Sequence, residues 1–402
     1  MYILRWLFSK KVRNAAEFRN YVLRTLSAQR DLLSELAISE INDAADKLKK
    51  ALKSGAPLTE IQNAVDTLDT VANKWLKPYP NPAIRENVET ILVALVVVLA
   101  FRTFFFQPMK IPTGSMQPTL YGITFENLKD KPDVKIPGPL SRFVQKIFNG
   151  VTYYHIVAKE DGTFDEVCPQ EKFFLFFTRQ RFKVGNQWYS IIYRPSALPR
   201  VSTFYDINPV LLLAGVKPGM QFKVGEEIVK LKVVSGDHLF VNRLVYNFRH
   251  PRRGEIVIFE TTGISGIQQN TFYIKRLVAF GGEHVRIGND RHIIINDKRL
   301  DASVPNFENI YSFSGPPAES QYSGHVNGFI AEQAKRNPAL APLFPDETAE
   351  FIVPTNHFLV FGDNTLNSLD SRAWGSFPRE KVIGKAGMVY WPISPRFGWG
   401  YR

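Results

Sequence analysis

The chain has 402 residues, 45% of them hydrophobic and 13% aromatic, so it has room for two or three domains and is too apolar to be globally disordered. Its net charge of +12 suits an anionic partner, yet there is no Lys/Arg run of five or more, no zinc-finger spacing and no RNA-binding aromatic signature. Nucleic acid is therefore not expected as a partner, and a lipid bilayer is. The single cysteine, Cys168, rules out an intrachain disulfide, and seven scattered histidines without paired spacing predict no metal site. No cofactor is expected.

Residues 1–86 carry helical spacing. Ile41, Ala44, Ala45, Leu48 and Leu52 form one apolar repeat, and Ile61, Val65, Leu68, Ala72 and Trp75 form another. Gly55 and Pro57 break the first, and Thr59 with Gln62 reads as a capping box for the second. A helical hairpin is predicted, a packing or tethering module without chemistry. The proline-rich "PYPNPAIREN" at 78–87 is the linker.

Val88–Phe106 then supplies 19 largely apolar residues, close to the roughly 20 that span a bilayer core. Its uninterrupted apolar centre, Ile91–Phe101, is only 11 residues, so a buried soluble helix is the competing reading. Lys74, Lys77 and Arg85 precede it, and Arg102 and Lys110 follow. That balance favours an N-terminus inside and a C-terminus outside. The chain is accordingly divided into a hairpin and linker (1–86), a transmembrane anchor (87–107) and a β-rich domain (108–402).

Beyond residue 107 short strand-like runs appear, among them "HLFVNRLVY", "GEIVIFE", "TFYIKRLVAF" and "FLVFGDN", separated by Gly, Pro and Asn/Asp turns. They predict a mostly β domain of antiparallel sheets. Residues 121–235 and 300–355 have weaker patterns and read as excursions from it.

Three stretches could carry chemistry. In "IPTGSMQPTL", 111–120, Pro112 and Gly114 stiffen and tighten a turn that can present Ser115 with its hydroxyl and N–H on one side. A serine nucleophile needs a base, and no G-x-S-x-G elbow points to a histidine triad. Lys275, set among Phe272, Tyr273, Ile274 and Leu277, is the alternative, because desolvation favours a neutral amine. The third stretch is "GDNTLNSLDSRAWG", 362–375, whose side chains could cap a turn or orient the lysine and brace the loop. Taken singly, each stretch is also compatible with an ordinary turn or strand.

Together, and in this order, the stretches resemble type I signal peptidase, the bacterial membrane-anchored Ser/Lys protease family. "GDHLFVNRLVY" with "PRRGEIVIFE" is similar to its second box, and "YIKRLVAFGGEHVRI" to its lysine box. The resemblance implies a signal-peptidase-like fold and an endopeptidase that removes signal peptides from exported precursors after small residues, at Ala-x-Ala type sites. It implies a single-pass protein of the bacterial cytoplasmic membrane, N-terminus cytoplasmic and catalytic domain outside.

By the same resemblance, Ser115 is the nucleophile and Lys275 its base. The Ser115 N–H and the Thr113 hydroxyl form the oxyanion hole, and Ser368 hydrogen-bonds the lysine. Asp363 with Arg276, and Asp370 with Arg372, brace the site. Met109, Ile111, Pro112, Met116, Tyr273 and Ile274 line shallow apolar pockets. Thr113 stands where the family often has serine. Thr365-Leu366 replaces a common Arg-Asp, at the expected loss of a surface ion pair. Gly281-Gly282-Glu283 replaces a Pro-Gly-Asp turn. Residues 121–235 and the N-terminal hairpin lie outside the resemblance. Two other readings remain: a non-enzymatic, membrane-anchored β-domain that binds exported peptides, and a self-cleaving Ser/Lys repressor, for which no DNA-binding module is visible.

Overall fold

A computed structural model describes residues 9–77, 82–131, 133–199, 207–312 and 324–399. The first four residues of the expected linker, 78–81, lie outside them, as do parts of both excursions. The chain divides into two units, Met1–Val96 and Val97–Arg402.

Among the described residues up to 77, the first unit holds the successive α-helices Lys10–Gln29, Glu35–Ser54 and Leu58–Trp75. Two of them carry the apolar repeats read from sequence. The helix Lys10–Gln29 adds Val12, Val22 and Leu26 to the same core as Ile41, Leu48 and Leu68, so the hairpin is in fact part of a three-helix arrangement. Ser9 and Ser34 cap the first two helices by accepting from Val12 N and Ala37 N. Gly55, at φ 77°, closes the second as expected. The capping box at Thr59 does not form. The third helix starts two residues earlier, after Pro57, which offers no side-chain acceptor, and Gln62 instead donates to Asp66 along the helix surface.

The helix Pro82–Phe104 follows. Within it Ile84–Phe104 is long and apolar enough to cross a membrane, and none of its most apolar window is buried. At 1.5 Å per residue that stretch covers about 30 Å. Burial in a soluble core is therefore not what its apolar side chains find. The helix ends two residues short of the predicted span, because Phe106 already belongs to a strand.

The second unit is mostly antiparallel β, as expected. Its central sheet has seven strands in the order Phe106–Lys110, His238–Asn242, Val382–Trp391, Ile256–Glu260, Phe272–Phe280, His357–Phe361 and Phe377–Pro378. Ile111, Met116, Leu239, Ile256 and Ile258 pack in one apolar cluster, and Val257, Phe259, Leu277 and Val360 in another. Residues 284–352 contribute a four-stranded sheet whose core includes Val285, Ile293, Phe307 and Phe344. Residues 121–235 hold a three-stranded and a five-stranded sheet, with Phe164, Phe182, Val210 and Leu231 in a core of their own. The weak strand pattern there hid a second β core. At the altered turn after the lysine strand, Gly282 takes φ 87° and Glu283 accepts from Phe280 N at 2.8 Å, so the turn is closed by local bonds.

Candidate active site

The segment that carries Ser115 leaves the edge strand Phe106–Lys110, which pairs with His238–Asn242 alone. Thr113 is extended, and Gly114–Met116 then form a single 3-10 turn. Close backbone approach demands glycine beside this turn: a Cβ at Gly122 would collide with the Thr113 carbonyl, and one at Gly362 with the Ser115 carbonyl and Ser368. Asn364 clamps the turn from the far strand end. Its N–H donates to Ser115 O at 3.0 Å and its side-chain Nδ2 to Gly114 O at 2.9 Å.

Lys275 lies on the strand Phe272–Phe280, in register with Val257 of one neighbour, while the next residue, Arg276, pairs with Phe361 of the other. Adjacent strand residues point to opposite faces, so these two cations serve different partners. Lys275 Nζ is 2.9 Å from Ser115 Oγ and donates to Ile274 O at 3.1 Å. The Tyr273 ring lies 5.5 Å from the amine. Only 4% of Lys275 is exposed. Burial pulls its pKa from the usual lysine value down to about 8, against the opposing pull of Asp370 and Asp363, and Arg372 adds a smaller push downward. The like charge that acts on Lys275 comes from Arg372, not from its chain neighbour Arg276, which is paired with Asp363.

The two predicted ion pairs are both formed and both buried. Arg276 Nε and Nη2 donate to the Asp363 carboxylate at 2.8 and 2.6 Å, and Arg276 Nη1 to Gly254 O at 2.6 Å. Thr119 joins them, donating to Asp363 at 2.5 Å. Arg372 Nε and Nη2 donate to Asp370 at 2.8 Å each. Burial would raise the Asp370 pKa, but Arg372 and the Gly362 N–H hold it below the usual carboxylate value. Each guanidinium thus has further acceptors, the condition under which a buried ion pair is tolerated.

Three expectations are corrected. Ser368 makes no hydrogen bond to Lys275. It is buried beside the Asp370 carboxylate, near enough to help hold it ionised, yet without a bond of good geometry. Ile111 and Met116 do not line an accessible pocket but are buried in the core under the turn, while Met109, Tyr273 and Ile274 are half-buried and Pro112 is exposed. Thr365 does not mark a lost surface ion pair. It is buried, and its hydroxyl accepts from Arg372 Nη1 and Val326 N, both at 2.8 Å. An apolar-plus-hydroxyl pair suits that interior position better than two charges would.

The side chain found on the Ser115 hydroxyl is that of Lys275, and the histidines nearest in sequence to the strand-like boxes have other partners. His238 packs edge-on against Trp391, with ring centroids 4.8 Å apart, and burial pushes its pKa down to about 4. His284 pairs with Glu350. Sequence reasoning missed Asn364, Thr119 and the buried role of Thr365. All three lie inside stretches it had singled out, but their partners are more than 100 residues away or across a turn.

Comparisons with known proteins bear on the family to which the chain belongs. The family model described as signal peptidase, peptidase S26, matches residues 84–130 and 213–391. The chain is 32% identical over 163 residues to a probable signal peptidase I-2 of Synechocystis sp., covering 40% of this chain and 58% of that protein. It is 31% identical over 161 residues to a signal peptidase I of Leptolyngbya laminosa, covering 39% and 62%. The chain thus spans about three fifths of these relatives' length. A crystal structure of a signal peptidase I from Enterococcus faecalis V583 aligns at 22% identity over 34% of this chain and 97% of that one, with a TM-score of 0.23, too low to bear on the fold. The family match spans more than half of the chain's 402 residues and includes both Ser115 and Lys275, and the chain therefore belongs to the signal peptidase family, peptidase S26.

Proposed function

We propose that the chain is a membrane-bound serine endopeptidase that removes N-terminal signal peptides from exported precursors with a Ser115/Lys275 dyad. The observation that carries this reading is the 2.9 Å approach of a buried lysine amine to the Ser115 hydroxyl. Neutral Lys275 takes the hydroxyl proton as Oγ attacks the scissile carbonyl, then passes it to the leaving amine. The resulting ester is hydrolysed by water, with Lys275 again as base. The Ser115 N–H and the exposed Thr113 hydroxyl stabilise the oxyanion. Met109, Pro112, Tyr273 and Ile274 form shallow walls that admit small side chains on either side of one residue, the Ala-x-Ala pattern. Ser368 and the pairs Arg276–Asp363 and Arg372–Asp370 keep the loop in place.

In this reading the helix Ile84–Phe104 crosses the bacterial cytoplasmic membrane once, with the N-terminal helices in the cytoplasm and the β unit outside. Holding the nucleophile about ten residues from its own anchor raises its effective concentration at the bilayer surface, where signal peptides emerge. The test is direct. Purified chain in detergent should shorten a precursor with an Ala-x-Ala site, and Ser115→Ala should abolish the shortening. Cleavage that persists in Ser115→Ala would remove the reading.

A further inference from the structure

Between the two blocks matched by the family lies a hairpin that ends in "FFLFF", residues 173–177. Strand Glu171–Phe173 turns back into strand Phe177–Val184, with Phe173 opposite Phe177. Phe174 and Leu175 have φ of 44° and 23°, a region that glycine or asparagine usually fills at a turn. Bulky apolar residues are kept there at the expense of backbone strain. They also stay in water: Phe174, Leu175 and Phe176 are 76%, 82% and 66% exposed. An exposed apolar tip of this size marks a docking surface.

The surroundings say what docks. Lys172, Arg179, Arg181 and Arg194 collar the tip, and Arg179 and Arg194 lie 5.5 and 5.6 Å from the Phe173 and Phe176 rings. The local carboxylate, Glu171, bonds Arg179 at 2.9 Å. Aromatic side chains projecting beyond a ring of cations match a hydrocarbon layer beneath anionic headgroups.

Position points the same way. Lys110 Nζ donates to Ser196 O at 2.6 Å, two residues from Arg194. Lys110 ends the strand that begins two residues after the candidate span. A five-residue strand is about 17 Å long, so the collar is tied within one strand length of the point where the chain leaves the span. A second apolar element converges there. The helix Pro139–Phe148 buries none of its residues and exposes Leu140, Phe143 and Ile147 along one face. Its Ile147 carbonyl accepts from Trp391 Nε1 at 2.6 Å, Trp391 packs on His238, and His238 lies opposite Lys110 in the sheet.

We propose that residues 173–177 insert into an anionic lipid surface and hold the β unit against the bilayer, a function separate from bond cleavage. The test uses the full chain with Cys168→Ser and one new cysteine, either Leu175→Cys or Asn186→Cys at the other end of the same strand. Each is labelled with an environment-sensitive dye and reconstituted in phosphatidylcholine/phosphatidylglycerol vesicles. Acrylamide should quench the dye at 175 roughly tenfold less than at 186, and spin-labelled lipid should quench only the dye at 175. In phosphatidylcholine alone the shielding at 175 should weaken, and no change there would contradict the role of the cationic collar. Equal acrylamide quenching at both sites would overturn the proposal. So would shielding at 175 that appears only when a precursor peptide is added, since the tip would then be a peptide-capture site. Precursor cleavage, read separately in detergent, should be the same for both labelled chains.

Discussion

The pH dependence of cleavage follows from the burial of Lys275. Its pKa is lowered from 10.5 to about 8. At pH 7 roughly a tenth of the enzyme then carries the neutral amine, against fewer than about one in a thousand for a free lysine. Precursor cleavage should rise about tenfold per pH unit below 8 and level off above it. The assay is kcat/KM for a fluorogenic Ala-x-Ala peptide in detergent from pH 6 to 10. The same shift has a stability signature. A depressed lysine pKa penalises the fold by about 3 kcal/mol, at 1.36 per pH unit, wherever both states would be protonated. That penalty is complete below the folded value near 8, shrinks between 8 and 10.5 because the unfolded chain binds the extra proton, and is gone above 10.5. Lys275→Met removes the charge and most of the volume change, so it should be more stable than the parent at pH 7 and lose that advantage as pH rises to 10.5. A cleavage profile that levels off near 6.5 would point to histidine, and one that climbs to 10 would show an ordinary lysine. Either would refute the reasoning.

Thr113→Ser should keep most of the activity, whereas Thr113→Val should lower kcat by about 10²–10³, or about 3–4 kcal/mol, as measured on the same peptide. Arg372→Met leaves the buried Asp370 without its partner and should cost about 3–5 kcal/mol in urea unfolding. A loss below about 1 kcal/mol would show that Asp370 finds other donors. A chain beginning at Ile84 lacks the three N-terminal helices and should cleave precursor in detergent at close to the parent rate. A hundredfold loss with the β unit still folded would give those helices a part in cleavage.

The approach of Lys275 to Ser115 was legible because the serine turn, the lysine strand and the polar loop are each compact stretches whose order matters more than their contacts. The span and the antiparallel sheet were legible from periodicity. What sequence could not supply were the partners. Asn364 reads as a turn residue until its amide is found on the Gly114 carbonyl. Thr365 reads as a surface replacement until Arg372 is found against it. Met116 and Ile111 look like pocket residues because they flank the nucleophile, yet a short turn has two sides and theirs faces the core. In Lys10–Gln29 the apolar positions Val12, Val22 and Leu26 are diluted by alanine and arginine, so this helix was not separated from a general helical region. The β core of 121–235 was missed although four of its strands run seven or eight residues, because charged and polar residues interrupt their apolar pattern, as in Phe177–Val184.

The central claim is that an uncharged Lys275 is the base that activates Ser115, and Lys275→Arg tests it most directly. Guanidinium keeps its proton at every working pH, so it retains charge and length but cannot accept from the hydroxyl. The measurement is the rate of precursor cleavage at pH 8 by purified Lys275→Arg, with folding checked by its circular dichroism. The account predicts a folded protein whose rate falls by roughly 10²–10⁴ or more. A folded Lys275→Arg that cleaves at near the parent rate would contradict it.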